Sequence, residues 1–176
     1  IPGGGYQICS EREAEIVAFE YLRVGYQTFI LRYSVKENAT WPNPLNDYEQ
    51  AMELIRSKIN EWNIYGDKIA VLGFSAGGHL ASAAATIANN KPNAALLGYA
   101  VTTEETVHEC LPTAPSTWDK VDKNTCPCFI FATRTDDIVP ITNSLKFMNA
   151  LDKAGVAFES HIYGYGPHGF SSCKSV

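Results

Sequence analysis

The feature that most restricts the possible folds of this chain is one serine between glycines. It lies where an apolar run is followed by an alanine-rich run. Residues 68–72 are mostly apolar and predict a buried strand, whereas residues 78–85 predict a helix. Between them lies Gly73-Phe74-Ser75-Ala76-Gly77, and G-x-S-x-G at a strand-to-helix turn is typical of a nucleophile elbow. The alternative is an ordinary serine in a tight turn, but the strand before it and the helix after it favour the elbow. We therefore predict that Ser75 is a nucleophile.

Two later segments supply an acid and a base in the order that such an elbow requires. An apolar strand is predicted at residues 128–133, and Asp136 and Asp137 follow it in a loop. A further strand is predicted at residues 156–163, and His168 lies in the glycine-rich loop after it. Because the carboxyl ends of parallel strands form the site edge of an open α/β sheet, these side chains should lie near the predicted nucleophile. His168 is then the general base, and an aspartate holds its imidazole in the required tautomer.

A run of three glycines opens the chain and resembles the H-G-G-G oxyanion loop of lipases and esterases. The sequence is Pro2-Gly3-Gly4-Gly5-Tyr6, with proline where those enzymes have histidine. Acyl transfer forms a tetrahedral oxyanion, and one preorganised backbone N–H group stabilises it by roughly 3–4 kcal/mol. We predict that the N–H groups of Gly4, Gly5 and Ala76 are these donors. The alternative is a flexible linker, which the helical run directly afterwards disfavours.

Five motifs, taken in order, resemble the BD-FAE family of alpha/beta-hydrolases, the group that contains many acetylxylan-esterase-like proteins. They are P-G-G-G-Y, L-R-Y-S-V, G-F-S-A-G-G-H-L, D-D-I-V-P-I-T-N-S-L and G-P-H-G-F, which extend from Pro2 to Phe170. The resemblance implies a serine carboxylesterase that hydrolyses short-chain esters, often acetyl groups on sugars or xylan fragments. The D-x-x-V-P pattern of related proteins implies that Asp136 is the acid of the triad, with Asp137 as the alternative.

Strands and helices alternate along the chain, which predicts an α/β fold with a mostly parallel sheet flanked by helices. Helices are predicted at residues 11–24, 45–59 and 141–154, and further strands at residues 26–33 and 94–101. A length of 176 residues fits a single domain, residues 1–176. The resemblance also implies a central strand directly before the glycine loop and a closing helix after Phe170. We therefore expect an alpha/beta-hydrolase domain that lacks its first strands and its closing helix in this chain.

Composition and charge exclude several classes of protein. A net charge of −5 without clusters of Lys or Arg argues against nucleic-acid binding, and no apolar run approaches the length of a membrane span. The predicted mechanism uses no metal and no cofactor, and its expected partner is a small-molecule ester. The five cysteines lack the C-x-x-C spacing of redox and zinc sites: Cys9, Cys110, Cys126, Cys128 and Cys173. We expect reduced thiols and hence a cytoplasmic protein, with a Cys9–Cys173 disulfide as the alternative.

The other histidines and several aromatic residues have simpler interpretations. We expect His79 to pack or cap within the elbow helix and His161 to be a structural side chain of its strand. His108 lies among acidic residues, but their irregular spacing argues against a metal site. Three aromatic residues are candidates either for lining an acyl or sugar pocket or for the core: Tyr6, Trp118 and Phe170.

Two other functional classes are consistent with parts of the sequence. A serine peptidase of the prolyl-oligopeptidase type shares the D-x-x-V-P and late-histidine arrangement, but nothing here predicts its propeller domain, and the glycine triplet favours esters. A non-catalytic ligand-binding protein of the same fold would be expected to lose the base, and His168 is present.

Overall fold

A computed structural model describes residues 1–171 of the chain, which contain five α-helices and four β-strands. The helices are α1 (Glu15–Arg23), α2 (Asn43–Ser57), α3 (Ser75–Thr86), α4 (Glu104–Val107) and α5 (Thr142–Ala154). The strands are β1 (Ala70–Phe74), β2 (Ala94–Gly98), β3 (Cys128–Thr133) and β4 (Phe158–Tyr163). Three short 3-10 turns lie at Glu11–Glu13, Lys36–Asn38 and Trp118–Lys120.

The four strands form one parallel sheet in the order β1-β2-β3-β4. Leu72 of β1 is paired with Leu96 of β2, which is paired with Phe129 of β3, and the last pair of β3 and β4 is Thr133 with Tyr163. Because neighbouring parallel strands are joined by right-handed crossovers, the connecting helices α3 and α5 lie on the same face of the sheet. All four strands end at one edge, where the loops after them meet.

Helix α3 lies close against β1 and β2, and small residues make this contact possible. Every side chain of α3 is buried. A Cβ atom on Gly73 would lie 2.6 Å from the Cβ of Ala81, and one on Gly78 would lie 2.5 Å from the Cβ of Ala100. The glycines and alanines around the elbow are therefore required by packing of the helix on the sheet.

Most predicted elements are confirmed, with shifted ends. The strand predicted at 128–133 is found at the same residues, whereas β1 begins and ends two residues later than the prediction of 68–72. The helix predicted at residues 11–24 divides into the first 3-10 turn and α1, and α1 buries none of its side chains. The observed sheet and helices confirm the α/β class.

The strand predicted at residues 26–33 is wrong. No strand is assigned there, because the backbone of residues 27–32 forms no recorded hydrogen bonds to a neighbouring strand. The segment is rich in aromatic and β-branched residues, which fit a pleated surface but do not supply a pairing partner. Residues 26–31 instead line a cavity of about 470 Å³, together with side chains of α1, α2 and β1.

The first residue lies beside β1. The Ile1 nitrogen donates to Leu72 O at 2.7 Å, and Ile1 O accepts the Phe74 N–H at 3.3 Å, which is the pattern of a parallel bridge. The predicted closing helix falls outside the described residues.

The cysteine prediction is tested only in part. Four cysteines are unpaired within the described part of the chain: Cys9, Cys110, Cys126 and Cys128. The alternative disulfide involves Cys173, which lies outside it. No helix among residues 1–171 is both long and apolar enough to cross a membrane. The cytoplasmic location stays a prediction.

Candidate active site

The structure brings the three predicted triad residues together at the carboxyl edge of the sheet. Ser75 begins α3 directly after β1, Asp136 lies in the loop after β3, and His168 lies in the loop after β4. His168 Nε2 lies 3.0 Å from Ser75 Oγ, and His168 Nδ1 lies 2.8 Å from Asp136 Oδ2. Residues separated by 93 and 32 positions in the sequence therefore form one continuous chain of hydrogen bonds.

Ser75 has the strained backbone of a nucleophile elbow. Its φ is +52°, in the left-handed region that a residue with a Cβ rarely adopts, at a cost of about 1–3 kcal/mol. The turn is closed tightly on both sides, because a Cβ atom on Gly77 would collide with Pro2 O and one on Gly3 would lie 3.0 Å from Ser75 Cβ. The glycine loop thus lies directly against the serine.

Asp136, and not Asp137, faces the histidine. The side chain of Asp136 is 1% exposed, whereas Asp137 is exposed. Asp136 Oδ1 accepts the backbone N–H groups of Ile138 at 2.9 Å and Val139 at 2.8 Å. These two donors fix the carboxylate, which leaves Oδ2 directed at His168.

The tautomer of His168 follows from its neighbours. A carboxylate only accepts hydrogen bonds, so Nδ1 carries the proton shared with Asp136. Nε2 of the neutral ring then presents its lone pair to the Ser75 hydroxyl. The ring of Tyr99 lies against the imidazole, with 4.8 Å between the ring centroids in a T-shaped arrangement. The site can therefore remove a proton from Ser75.

The glycine loop leaves two backbone donors free. Gly4 has φ +124° and Gly5 has φ +60°, which are conformations that favour glycine. Among the described residues, neither Gly4 nor Gly5 donates its N–H group to a recorded acceptor, whereas the Gly3 N–H is bound to Glu13 Oε2 at 2.7 Å. Ala76 follows the nucleophile in the first turn of α3, where backbone N–H groups have no partner within the helix. The three predicted oxyanion donors thus belong to segments beside Ser75.

His79 and Tyr6 hold this loop from behind. The Tyr6 hydroxyl donates to His79 Nδ1 at 2.6 Å, and His79 Nε2–H donates to Pro115 O at 2.9 Å. Burial lowers the pKa of His79 from 6.5 to about 4, so the ring is neutral at pH 7. His79 therefore has the packing role that we predicted. Tyr6 is completely buried, so of its two predicted roles the core is correct and the pocket is not.

The remaining candidates lie apart from the hydrogen-bond chain. His161 belongs to β4 and packs on Phe129, while His108 Nε2 donates to Ala114 O at 3.0 Å. Phe170 packs on the ring of Tyr99, and Trp118 is half-buried beneath the ammonium of Lys146. Within residues 1–171 no three His, Cys, Asp or Glu side chains are grouped so that they could hold a metal ion.

A parallel sheet with a strained serine after one strand, and an acid and a histidine after later ones, defines the alpha/beta-hydrolase class. Solved structures agree. The chain is 45% identical to MGS-M1, an alpha/beta hydrolase enzyme from a Medee basin deep-sea metagenome library, with a TM-score of 0.91 over 97% of this chain and 68% of that one. It is 34% identical to the acetyl ester-xyloside bifunctional hydrolase of Caldicellulosiruptor lactoaceticus, again with a TM-score of 0.91, over 98% of this chain and 73% of that one.

The BD-FAE family model matches residues 1–98, which is more than half of the chain. The chain therefore belongs to the BD-FAE family. It is also 30% identical to the acetylxylan esterase of Xylanibacter ruminicola in an alignment that covers 97% of this chain and 40% of that protein. The chain spans 32% and 40% of the lengths of the first two curated relatives that it matches.

Proposed function

We propose that this chain carries the catalytic site of a serine carboxylesterase. Ser75 is the nucleophile, His168 the general base and acid, and Asp136 the residue that orients and stabilises the imidazole. The observation that carries the proposal is the hydrogen-bond chain from Ser75 Oγ through both nitrogens of His168 to Asp136 Oδ2, at 3.0 and 2.8 Å. A non-catalytic protein has no need of this alignment.

Acylation begins when Ser75 Oγ attacks the ester carbonyl. His168 Nε2 takes the hydroxyl proton, and Asp136 stabilises the imidazolium that forms. The negative charge of the tetrahedral intermediate develops on the former carbonyl oxygen, and the N–H groups of Gly4, Gly5 and Ala76 are its donors. When the carbon–oxygen bond to the alcohol breaks, the leaving oxygen takes the proton from His168 Nε2.

Deacylation repeats these roles with water. His168 Nε2 takes a proton from a water molecule, whose oxygen attacks the acyl carbon bound to Ser75. The second tetrahedral intermediate uses the same backbone donors. It collapses by returning the proton to Ser75 Oγ, which releases the carboxylic acid. Every proton passes between residues of this chain, water and the leaving alcohol, so the proposed steps use no metal and no cofactor.

We infer that the acyl group is short, with acetyl esters of sugars or xylan fragments as the first substrates to test. The activities of two proteins similar to this chain support this choice. One is an acetylxylan esterase, and the other is an acetyl ester-xyloside bifunctional hydrolase. Because each is only partly covered by this chain, the choice is a proposal for this protein and rests on the family relationship.

The test is hydrolysis of p-nitrophenyl acetate by the full-length protein and its Ser75→Ala variant. Loss of the nucleophile should remove most of the rate and leave at most the roughly 10³–10⁴-fold acceleration over water that a donor site and binding supply. Ser160→Ala is a matched control, because Ser160 is exposed on β4 and has no recorded side-chain partner.

The outcomes separate the three functional classes. Activity that is lost in Ser75→Ala and kept in Ser160→Ala supports the esterase. Faster hydrolysis of an aminoacyl anilide than of the acetyl ester would favour the peptidase. Equal rates in wild type and Ser75→Ala, or no activity in either, would refute the esterase and favour the non-catalytic ligand-binding protein.

A further inference from the structure

Glu13 is a buried carboxylate without a basic partner. It is 7% exposed, and it and Asp136 are the buried acidic residues of the described part of the chain. The ion pairs recorded within residues 1–171 do not include Glu13. A buried carboxylate is costly unless hydrogen bonds satisfy it. Glu13 has two such bonds, and both lead towards the triad.

One oxygen of Glu13 holds the glycine loop. Oε2 accepts the Gly3 N–H at 2.7 Å. The position that a Cβ on Gly3 would occupy lies 2.8 Å from this oxygen and 3.0 Å from Ser75 Cβ, so carboxylate and nucleophile both lie close against Gly3. The bond fixes the peptide directly before Gly4 and Gly5, whose N–H groups are the proposed oxyanion donors. Together with the backbone bond from Ser10 N–H to Gly3 O at 2.9 Å, Glu13 holds the chain from which these donors project.

The other oxygen of Glu13 holds the ring beside the histidine. Oε1 accepts the Tyr99 hydroxyl at 2.6 Å. Burial raises the pKa of Tyr99 well above its usual range, so the hydroxyl keeps its proton and donates it. Tyr99 has φ +35°, an unusual value for a residue with a side chain, and its ring lies 4.8 Å from the His168 ring and 5.1 Å from Phe170. The Glu13 bond thus secures one wall of the histidine site.

We propose that Glu13, acting through Gly3 and Tyr99, is a positioning residue that aligns the oxyanion donors and His168 with Ser75. The inference rests on the proposed function. The glycine loop and the Tyr99 ring, which packs on His168, must be placed within fractions of an ångström of each other, and one carboxylate bound to Gly3 and Tyr99 does this. Misplacement of reacting groups by about 1 Å can lower a rate by about 100-fold. The loss should appear in kcat, because Glu13 is 7% exposed and acts through Gly3 and Tyr99 on the groups that surround Ser75.

Three variants of the full-length protein test this role with p-nitrophenyl acetate. Glu13→Ala removes both acceptors and should lower kcat by about 10- to 100-fold with little change in KM. Glu13→Gln should restore most of kcat, because its amide oxygen can accept the Gly3 N–H and its NH2 group can donate to the Tyr99 oxygen. Tyr99→Phe keeps the ring, loses one of the two bonds, and should reduce kcat less than Glu13→Ala. Glu11→Ala is the matched control, since Glu11 is an exposed glutamate of the same 3-10 turn.

A folded Glu13→Ala protein with unchanged kcat overturns the proposal, as does a Glu13→Gln variant that loses as much kcat as Glu13→Ala. Thermal unfolding identifies a variant that does not fold. If Glu13→Ala does not fold, Tyr99→Phe is the test, because it nearly conserves the core volume. An unchanged kcat in Tyr99→Phe then overturns the proposal.

A measurement without substrate separates this inference from the esterase proposal. The proton on His168 Nδ1 gives a downfield NMR resonance when it is held between two polar atoms. We expect this resonance to shift or broaden in Glu13→Ala and to stay unchanged in Glu11→Ala. If the wild type hydrolyses no ester, the esterase proposal fails, but this resonance still reports on His168. An identical resonance in Glu13→Ala and wild type overturns the positioning of His168 by Glu13.

Discussion

Replacing Asp136 by asparagine would test the proposed acid of the triad while keeping its shape. In the structure Asp136 Oδ1 accepts two backbone N–H groups, at 2.9 and 2.8 Å, and Oδ2 faces His168 Nδ1. Only the oxygen of an amide can accept hydrogen bonds. The two backbone donors therefore hold that oxygen, and the NH2 group faces His168. Nδ1 must then accept, which places the ring proton on Nε2, against the Ser75 hydroxyl.

The size of the effect follows from two competing arrangements. In the wrong tautomer His168 cannot accept the Ser75 proton, and in a Ser-His-Asp triad this substitution lowers kcat by about 10⁴-fold, or about 5 kcal/mol. Rotating the amide restores the tautomer but leaves the two backbone donors without an acceptor, at about 1–3 kcal/mol each, or about 2–6 kcal/mol together. The arrangement with the lower free-energy cost determines how far kcat falls. We therefore expect kcat to fall by between about 30-fold and about 10⁴-fold.

The assay is steady-state hydrolysis of p-nitrophenyl acetate with the spontaneous rate subtracted. Asp137→Asn is the matched control, because the neighbouring aspartate is exposed. We expect Asp137→Asn to keep the wild-type kcat. If Asp136→Asn kept most of the activity, or if Asp137→Asn lost more than Asp136→Asn, the reasoning from the two backbone donors would be refuted.

Two further predictions concern stability. Because burial lowers the pKa of His79 to about 4, the unfolded chain binds a proton below pH 6.5 that the folded chain does not, so the free energy of unfolding falls as the pH is lowered from 6.5 towards 4. This histidine contributes about 2 kcal/mol to the loss of unfolding free energy between pH 7 and pH 4.5. Urea unfolding at both pH values should therefore show a smaller loss of unfolding free energy in His79→Gln than in wild type. An identical loss would contradict the assignment. Gly73→Ala should destabilise the fold by more than about 3 kcal/mol, because the added Cβ would lie 2.6 Å from Ala81 Cβ and even closer to Gly77 O. Gly164→Ala, where nothing lies within 4 Å of the new Cβ, is its control, and equal thermal unfolding midpoints for the two variants would argue against the packing explanation.

The elements that position the triad could be predicted because their signals are local. The elbow is recognisable from five consecutive residues together with an apolar run before them and small residues after them. Strand β3 is bounded by the residues that the sequence predicts, since Cys128–Thr133 is a continuous apolar run that ends at polar residues. The order of serine, acid and histidine then places all three groups at one edge of a parallel sheet, because each follows the carboxyl end of a strand.

The segment at residues 26–33 shows where local signals fail. Its side chains are those of a strand, but a strand is defined by hydrogen bonds to a second chain segment, and residues 27–32 form none with a neighbouring strand. Propensity measures how well a side chain fits a pleated surface and contains no information about the partner. The same limitation applies to Glu13 and Tyr99, which are 86 positions apart and carry no motif.

The glycine loop explains why such unmarked residues are required. Gly3, Gly4 and Gly5 must adopt conformations that bring the backbone against the nucleophile, and glycine loses more conformational freedom on folding than any other residue. A loop of glycines has no side chains with which to hold itself. Backbone bonds hold part of it, such as Ser10 N–H to Gly3 O at 2.9 Å, and the others come from side chains elsewhere in the chain: Tyr33 donates to Pro2 O at 2.8 Å, Glu13 accepts the Gly3 N–H, and the Tyr6 hydroxyl is bound to His79. A sequence motif can mark the donors that face a reacting ester, but the residues that hold those donors are determined by neighbours in the folded structure.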